Sequence, residues 1–245
     1  HFTEAICMAI VKEERIGNQR VILGNSLKVV PLLGEFDAVV TDPPYGMNYQ
    51  SNHRKTSYNK IAKDSDFEML IFSTKIIAAH SKYIWMRWDN LREIPKPNSL
   101  ITWVKNNHSM GDLEHEHGRK TEVCAFYKGH SHFFPNGRPT DVILGTRTGN
   151  VFHPTQKPVD LLRNVIEWTY GIVIDPFLGS GTTLVACQKL GRQGVGIELD
   201  PDYFEIACKR VEDATRQPDL FISNEKTQER PEQEQMIFEK EQDIC

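Results

Sequence analysis

The sequence predicts an α/β fold with a doubly wound, mostly parallel sheet. Short apolar runs that are bounded by Gly, Asp or Pro alternate along the chain with longer segments of helical periodicity. Hydrophobic residues make up 39 % of the chain and charged residues 25 %, as in ordinary globular proteins. The 245 residues are enough for one sizeable domain or two small ones. A fibrous or wholly disordered chain is therefore excluded.

The predicted strands are short and apolar, which is typical of parallel strands because both faces of their sheet are covered. They comprise residues 20–23, 36–40, 83–85, 100–104, 121–127, 172–175 and 194–199. The last two of these strands, 172–175 and 194–199, are each followed by a Gly-rich or Asp-Pro turn of the kind that connects a strand to a helix.

The predicted helices follow from apolar residues at three- and four-residue spacing. Residues 66–79 place Phe67, Leu70, Ile71, Thr74 and Ile77 on one helical face. Pro158 begins a second helix that Gly171 ends, residues 182–190 form a third that Gly191 closes, and Asp200-Pro201 caps a fourth that continues to Val211. Residues 106–150, with many Gly, His and Asn, are predicted to be a loop insertion outside the core.

The net charge of −4 and the pI near 6.2 are unlike those of most nucleic-acid-binding proteins. The charge is unevenly distributed, however. Residues 1–215 hold 25 basic and 25 acidic side chains, and residues 47–140 hold 14 basic against 9 acidic ones. Residues 216–245 hold 4 basic against 8 acidic ones and are predicted to be a mobile, acidic C-terminal tail.

Five widely spaced cysteines form no CxxC pair and suggest no disulfide pattern. We expect no signal peptide, because the first residues lack a basic region and a cleavage site. No apolar run is long enough for a membrane helix. The sequence therefore predicts a cytoplasmic protein that has no membrane partner.

A strand that leads into a glycine turn and then a helix forms the first chemical motif, at residues 174–183 (IDPFLGSGTT). Gly179 and Gly181 permit a tight bend and a close approach of backbone to ligand. Asp175 ends the strand, and Glu198 ends the next one, where a carboxylate can bind a ribose diol. The spacing is not that of a dinucleotide fingerprint. A glycine turn after a strand also occurs for purely structural reasons.

The second motif is Thr41-Asp42-Pro43-Pro44-Tyr45-Gly46, which follows a predicted strand directly. Two prolines end the strand in a stiff, extended turn. The Asp42 carboxylate and the neighbouring carbonyls are then fixed acceptors, and Tyr45 offers a flat face. Such a site suits a planar group that bears an NH₂, although Asp-Pro-Pro is also an ordinary loop sequence.

Together the two motifs resemble those of the amino-methylating DNA methyltransferases, in which Asp-Pro-Pro-Tyr accompanies a Phe-x-Gly-x-Gly turn. Here the catalytic motif comes first, as in the permuted beta group of that family. The block at 153–158 (HPTQKP) is similar to the segment that precedes the cofactor turn in this group, and Gly24-Asn25-Ser26 resembles the loop beside the cofactor adenine. The family more often has an acidic residue at the position of Asn25. The resemblance covers about residues 18–212.

The resemblance implies a Rossmann-like methyltransferase domain over residues 1–215 that uses S-adenosylmethionine and no metal. Asp175 is expected near the amino group or sulfonium, Glu198 at the ribose, and Thr155 and Lys157 near the methionine carboxylate. The full set of cofactor-binding residues expected is Asn25, Asp42, Thr155, Lys157, Asp175, Phe177, Gly179, Gly181, Thr182 and Glu198.

The resemblance also implies that the target base leaves the DNA duplex. Asp42 and the Pro43 carbonyl then accept hydrogen bonds from its amine, Tyr45 stacks on it, and Pro44 stiffens the turn. These four are the expected catalytic residues. Asp before Pro-Pro-Tyr is usually associated with N6-adenine methylation and Ser with N4-cytosine methylation, so adenine is the expected target and cytosine the alternative.

Several weaker signals concern partners. Residues 49–63 suit a loop that closes over DNA, with a solvated surface loop as the alternative. The insertion 106–150 suits a target-recognition region in which Lys105, Asn106, Asn107, Arg119 and Lys120 contact DNA. Its shortness suggests a brief recognition sequence or help from a second subunit, hence a homodimer. The histidines and Cys124 of this region lack zinc-site spacing.

Gln217-Pro218-Asp219-Leu220-Phe221 resembles the peptide with which bacterial replication proteins bind the sliding clamp; packing against the domain is the alternative. Other functions remain open: an RNA or protein amine methyltransferase, or a non-catalytic DNA-binding module of the same fold. The leading interpretation is a nucleoid-associated DNA methyltransferase of the restriction–modification type.

Overall fold

A mixed sheet lies at the centre of the protein. The computed structural model describes residues 9–44, 65–106, 114–115, 117–146 and 156–216. Within these residues nine strands form one sheet in the order β1-β2-β9-β8-β3-β4-β6-β5-β7. Their bounds are β1 Ile10–Ile16, β2 Gln19–Gly24, β3 Phe36–Thr41, β4 Ala79–Met86, β5 Ser99–Lys105, β6 Thr121–Lys128, β7 Val142–Gly145, β8 Val173–Asp175 and β9 Gly194–Glu198.

Most neighbouring strands run parallel, as predicted. The exceptions are the antiparallel pairs β1–β2, β4–β6 and β5–β6. Strand β1 was not predicted because charged residues interrupt its apolar ones (IVKEERI) and it lies at the sheet edge. The signal that could have revealed it is the two-residue turn Gly17-Asn18, which joins β1 to β2.

Helices cover both faces of the sheet, which confirms the doubly wound arrangement. Their bounds are α1 Ser26–Val29, α2 Ser65–Ile71, α3 Val159–Glu167, α4 Thr182–Lys189 and α5 Pro201–Arg216. The core on the face of α3, α4 and α5 includes Val40, Trp85 and Val165. The core on the other face includes Val39 and Ile174, and it contains α1 with the 3₁₀ turn Val30–Leu32 and the π-helical turn Phe72–Ile76.

The helix predicted over residues 66–79 is wrong at its C-terminal end. Helix α2 ends at Ile71, and the following turn is π-helical, with the N–H of Ile77 donating to the Phe72 carbonyl. Ala79 already belongs to β4, where it pairs with Phe36 of β3. Pairing of β4 on both sides therefore overrides the local helical periodicity. At the other end of the chain, α5 continues to Arg216, five residues beyond the predicted Val211.

The prediction that residues 106–150 form a loop outside the core is wrong for residues 121–128 and 142–145. Residues 142–145 form β7, which pairs with β5 and buries Ile143 in the core. Residues 121–128 form β6, which inserts between β4 and β5. Cys124 and Ala125 are fully buried within it, and Phe126 is nearly so. The alternation of apolar side chains had already predicted this strand, but its place in the sheet depends on long-range pairing.

The strand order creates a crevice between β3 and β8. Chain connections from β3 lead to β4 on one side, whereas those from β8 lead to β9 on the other. Ligands of open α/β sheets bind at such switch points, beyond the carboxyl ends of the strands. Asp42 follows β3 and Asp175 ends β8, so the fold places both chemical motifs at this crevice. Among the described residues, no helix is long and apolar enough to cross a membrane.

Arg192 is expected to be a major source of stability at the amino ends of these strands. The residue is 7 % exposed, and its guanidinium donates to the carbonyls of Thr169 at 2.8 Å and Gly171 at 2.6 Å. Arg192→Met leaves these carbonyls unpaired, so we expect the free energy of unfolding in urea to fall by about 2–4 kcal/mol. As a control, Arg15→Met removes an exposed side chain and should change it by no more than about 0.5 kcal/mol. Equal effects of the two substitutions would contradict this role.

Candidate active site

A cavity opens at the switch point and is lined by residues of both motifs. Six predicted site residues line it together: Asp42, Lys157, Asp175, Phe177, Gly179 and Thr182. These residues come from distant parts of the sequence, and the parallel strands bring them to one edge of the sheet.

Asp175 joins the two motifs through hydrogen bonds. Its Oδ1 accepts from the hydroxyl of Thr41 at 2.7 Å and from the N–H of Phe177 at 3.1 Å, and its Oδ2 accepts from the hydroxyl of Thr183 at 2.5 Å. Burial raises the pKa of Asp175 to about 6, against the opposing effect of these donors. Both oxygens already have protein partners, so Asp175 braces the site. Its expected contact with the cofactor stays a prediction.

The glycine turn depends on both of its glycines, for different reasons. Gly179 has φ 55° and Gly181 has φ 86°, conformations that L side chains rarely adopt. A Cβ at Gly181 would also lie only 2.9 Å from the Cα and Cβ of Ala207 in α5, whereas a Cβ at Gly179 would have nothing within 4 Å. Gly181 therefore permits close packing of the turn on α5, and Gly179 leaves space on the outer side of the turn.

Two side chains hold this turn from outside. Glu198 Oε2 accepts from the N–H of Gly179 at 2.7 Å, and its Oε1 accepts from the N–H groups of Leu199 and Asp200. Burial raises the pKa of Glu198. Arg210 of α5, which the sequence did not reveal, donates to the Ser180 carbonyl at 2.5 Å and to the Thr182 hydroxyl at 3.2 Å. Glu198 is absent from the described cavity lining, so its expected ribose contact stays a prediction.

Asp42 presents two unequal oxygens. Its Oδ2 accepts from Lys157 Nζ at 2.5 Å. Its Oδ1 is buried and accepts no hydrogen bond within the described part of the chain. Buried acceptors normally have donors, so this oxygen is suited to a donor supplied by a ligand. Pro43 and Pro44 follow with no regular secondary structure, as the double proline predicts.

Lys157 forms two ion pairs that the sequence did not predict, and its expected contact with the methionine carboxylate stays a prediction. It is 7 % exposed and lies between two carboxylates, with Nζ 2.5 Å from Asp42 Oδ2 and 3.1 Å from Glu122 Oε2. Glu122 of β6 in turn accepts from Lys105 Nζ at 2.9 Å. Nothing in the sequence indicated Glu122, because its partners lie 17 and 35 positions away.

Lys105 was predicted to contact DNA, and the structure contradicts this. Its side chain is 7 % exposed, bonds to Glu122, and lies over the Trp103 ring at 5.5 Å from the centroid. The local run of polar residues hid the fact that Lys105 still belongs to β5. Asn106 donates to the Thr146 hydroxyl at 3.3 Å, and Arg119 and Lys120 are exposed. A DNA contact of these three stays a prediction.

Asn25 has a structural role in the described chain. Its Oδ1 accepts from the N–H of Leu27 and caps α1, and its side chain does not line the described cavity. The predicted residues Tyr45, Thr155 and Asn107, the loop 49–63 and the segment 217–221 lie outside the described residues. The described residues contain no group of three or more His, Cys, Asp or Glu side chains that could hold a metal.

Comparison with known proteins agrees with this geometry. A family model described as "DNA methylase" (N6_N4_Mtase) matches residues 144–209. The Type II methyltransferase M.HpaI of Haemophilus parainfluenzae is 29 % identical over 236 residues, which cover 80 % of this chain and 74 % of that protein. YubD of Escherichia coli (strain K12) is 30 % identical over 213 residues, which cover 78 % of this chain and 89 % of that protein. The chain belongs to the N6-adenine/N4-cytosine DNA methyltransferases.

Solved structures show the same fold for this DNA methyltransferase. The complex of M1.HpyAVI with S-adenosylmethionine superposes with a TM-score of 0.58 at 24 % identity and covers 78 % of this chain and 99 % of that one. The cytosine-N4-specific PvuII DNA methyltransferase superposes with a TM-score of 0.61 at 14 % identity and covers 94 % and 95 %. The predicted Rossmann-like methyltransferase fold is confirmed. Membership of the family supports S-adenosylmethionine as the cofactor and DNA as the substrate.

The raised pKa of Asp175 predicts a pH dependence of stability. The folded protein binds this proton more tightly than the unfolded chain, in which the pKa is near its usual 3.8. The stabilisation from Asp175 is therefore present below about pH 4 and is lost as the pH rises through about 6, a loss of about 2–3 kcal/mol. We expect the free energy of unfolding of the wild type to fall by this amount relative to Asp175→Asn between pH 4 and about 7.

Urea unfolding of both proteins at several pH values measures this difference. All other titrating groups are shared, so they cancel when the two curves are subtracted. Curves that stay parallel across this range would show that Asp175 titrates as it does in the unfolded chain.

Proposed function

We propose that this DNA methyltransferase transfers a methyl group from S-adenosylmethionine to the exocyclic N6 amine of a flipped adenine in duplex DNA. One observation supports the proposal above all. The Asp42 Oδ1 atom is a buried acceptor that has no donor among the described residues, and Asp42 lines the same cavity as the glycine turn. An amine that binds there would supply the missing donor at the place where the family carries out methyl transfer.

The residues of the cavity fit this cofactor and base. Besides Asp42 Oδ1, the Oε1 atom of Gln156 is a buried acceptor without a partner in the described chain, and Gln156 also lines the cavity. The turn provides backbone at Gly179 and hydroxyl groups at Ser180 and Thr182. S-adenosylmethionine supplies, when bound, a methyl group made electrophilic by its sulfonium. Phe177, Gly179 and Gly181 are expected beside its methionine part, with Thr155 near the carboxylate, Glu198 at the ribose and Asn25 near the adenine.

Asp42 and the Pro43 carbonyl would activate the amine of the base. The lone pair of this nitrogen is delocalised into the ring, so the nitrogen is a weak nucleophile. Two acceptors that hold its N–H groups direct the lone pair toward the methyl carbon. The nitrogen–carbon bond forms as the carbon–sulfur bond breaks, the electron pair stays on sulfur, and the amine loses one proton toward Asp42 Oδ1. Tyr45 is expected to stack on the base.

Adenine is the proposed base because an acidic residue precedes Pro-Pro-Tyr. Cytosine presents a similar amine, and PvuII methyltransferase, which shares the fold, is cytosine-N4-specific. The direct test is transfer of tritiated methyl groups to unmethylated duplex DNA, RNA or protein, followed by digestion of the DNA to nucleosides. We expect N6-methyldeoxyadenosine. N4-methyldeoxycytidine would overturn the base assignment alone, and transfer only to RNA or protein would overturn the proposal.

Replacing Asp42 should separate cofactor binding from methyl transfer. Asp42→Ala removes the acceptor for the amine, so we expect transfer to fall by about 10³-fold or more while the Kd for S-adenosylmethionine changes by less than about threefold. Calorimetry and the methyl-transfer assay measure the two quantities. As a control, Asp160→Ala removes a carboxylate that is 90 % exposed on α3 and should leave both unchanged. Appreciable turnover by Asp42→Ala would contradict the assigned role.

The remaining proposals concern partners. Arg119 and Lys120 are exposed, and we propose that they contact DNA as part of a target-recognition region within residues 106–150. A second copy of the chain is proposed to extend this region, and association with DNA places the protein at the nucleoid.

The segment Gln217–Phe221 is proposed to bind the sliding clamp. Replacing Leu220 and Phe221 by Ala should abolish recovery of the clamp in a pull-down, and equal recovery would reject this binding.

A further inference from the structure

Four alternating charges form a continuous array that begins at Asp42 and leads away from the cavity. Lys157 Nζ lies 2.5 Å from Asp42 Oδ2 and 3.1 Å from Glu122 Oε2, and Lys105 Nζ lies 2.9 Å from Glu122 Oε1. The other three residues of the array come from three parts of the fold. Lys157 lies in the segment before α3, Glu122 on β6 and Lys105 on β5. The array therefore connects the catalytic motif to the antiparallel part of the sheet.

Both cations of this array are removed from water. Lys157 and Lys105 are each 7 % exposed, and each lies over a tryptophan ring, 5.7 Å from the Trp85 centroid and 5.5 Å from the Trp103 centroid. Burial raises the pKa of Glu122, but Lys157 and Lys105 together outweigh it, so the net shift is downward and Glu122 is ionised at neutral pH. Ion pairs buried in this way add little to stability compared with apolar packing. The array therefore contributes more to the positions of these side chains than to the stability of the fold.

Glu122 and Asp42 both contact the ammonium group of Lys157. Each of the two Glu122 oxygens binds a different lysine, so Lys105 fixes the orientation of the carboxylate that holds Lys157. Lys157 in turn binds Oδ2 of Asp42, and Oδ1 remains an acceptor that no described residue binds. Glu122 does not line the described cavity. Its influence on the reaction must therefore pass through Lys157.

We propose that Glu122 is a positioning residue for methyl transfer, which holds Lys157 against Asp42 Oδ2 so that Asp42 Oδ1 faces the amine of the target base. This role rests on the proposed function. Without the negative charge of Glu122, the Lys157 ammonium loses an anchor on the side of β6 and shifts, and the plane of the Asp42 carboxylate shifts with it. A displacement of about 1 Å in a reacting group is enough to cost on the order of 10²-fold in rate.

The test measures single-turnover methyl transfer to DNA per cofactor-binding site. For Glu122→Gln we expect the rate constant to fall by about 10- to 100-fold, with KM for DNA and for S-adenosylmethionine changed by less than about threefold. Glu122→Asp keeps the charge and should recover part of the rate. If Glu122 had only a structural role, its substitution would lower the fraction of folded protein. Dividing the rate by the number of cofactor-binding sites removes that effect.

Glu13 provides a matched control. It is a carboxylate on β1 at the far edge of the same sheet, paired with Arg20 at 2.7 Å, and its side chain is 25 % exposed against 31 % for Glu122. Glu13→Gln removes a carboxylate of similar exposure from a more exposed ion pair, and it should leave the rate constant within about twofold of the wild type. A loss as large as that of Glu122→Gln would show that the effect is a general one on the sheet.

A double-mutant cycle with Lys157→Met tests whether Glu122 acts through Lys157. If it does, the double variant is no slower than Lys157→Met alone, because the element that Glu122 positions is already gone. Losses that multiply would overturn the inference, and so would a Glu122→Gln variant as fast as the wild type. An active wild type with either of these results contradicts only the positioning role, whereas a wild type that transfers no methyl group to DNA contradicts the proposed function itself.

Discussion

The buried carboxylate of Asp175 fixes the two halves of the active site relative to each other. It accepts hydrogen bonds from Thr41 at the end of β3, from Phe177 in the glycine turn and from Thr183 in α4. Asp42 follows Thr41 directly, so the position of the Asp42 carboxylate depends on this contact. Burial of the charge costs free energy, as the raised pKa of Asp175 shows, and the three donors offset part of that cost. The buried charge lowers stability at neutral pH, and the same hydrogen bonds fix the distance between the Asp-Pro-Pro motif and the glycine turn.

A second set of charges controls the orientation of Asp42 from the other side. Lys157 binds one of its oxygens and Glu122 holds Lys157, so the acceptor left for a substrate is Oδ1. The net charge of −4 conceals such local order. Residues 1–215 are neutral as a whole, and the charges of Asp42, Lys157, Glu122 and Lys105 alternate in sign from one contact to the next. Distribution of charge, and not its sum, is what bears on function in this protein.

The segment 106–150 has a dual character that explains why its prediction was partly wrong. Residues 121–128 complete the core as β6 and bring Glu122 toward the crevice, while Arg119 and Lys120 just before them are exposed. A strand of this kind links a surface proposed to bind DNA to the charges behind Asp42. Recognition and chemistry would then share one rigid element, which suits an enzyme that must align a flipped base before transfer.

Local sequence was sufficient to predict the alternation of strands and helices, both motifs, and the position of the motifs at the carboxyl ends of β3 and β8. Hydrophobic periodicity and turn chemistry act over a few residues, so a short segment carries this information. These features also identified the family and its cofactor. The partners of Lys157 and the burial of Lys105 were decided by the tertiary structure alone, as was the π-helical turn after α2. Lys157 and Asp42 are 115 positions apart, and they meet only because the order β8-β3-β4-β6-β5 brings their elements together. Side-chain partners depend on which strands are neighbours, and this depends on long-range pairing that no short segment encodes.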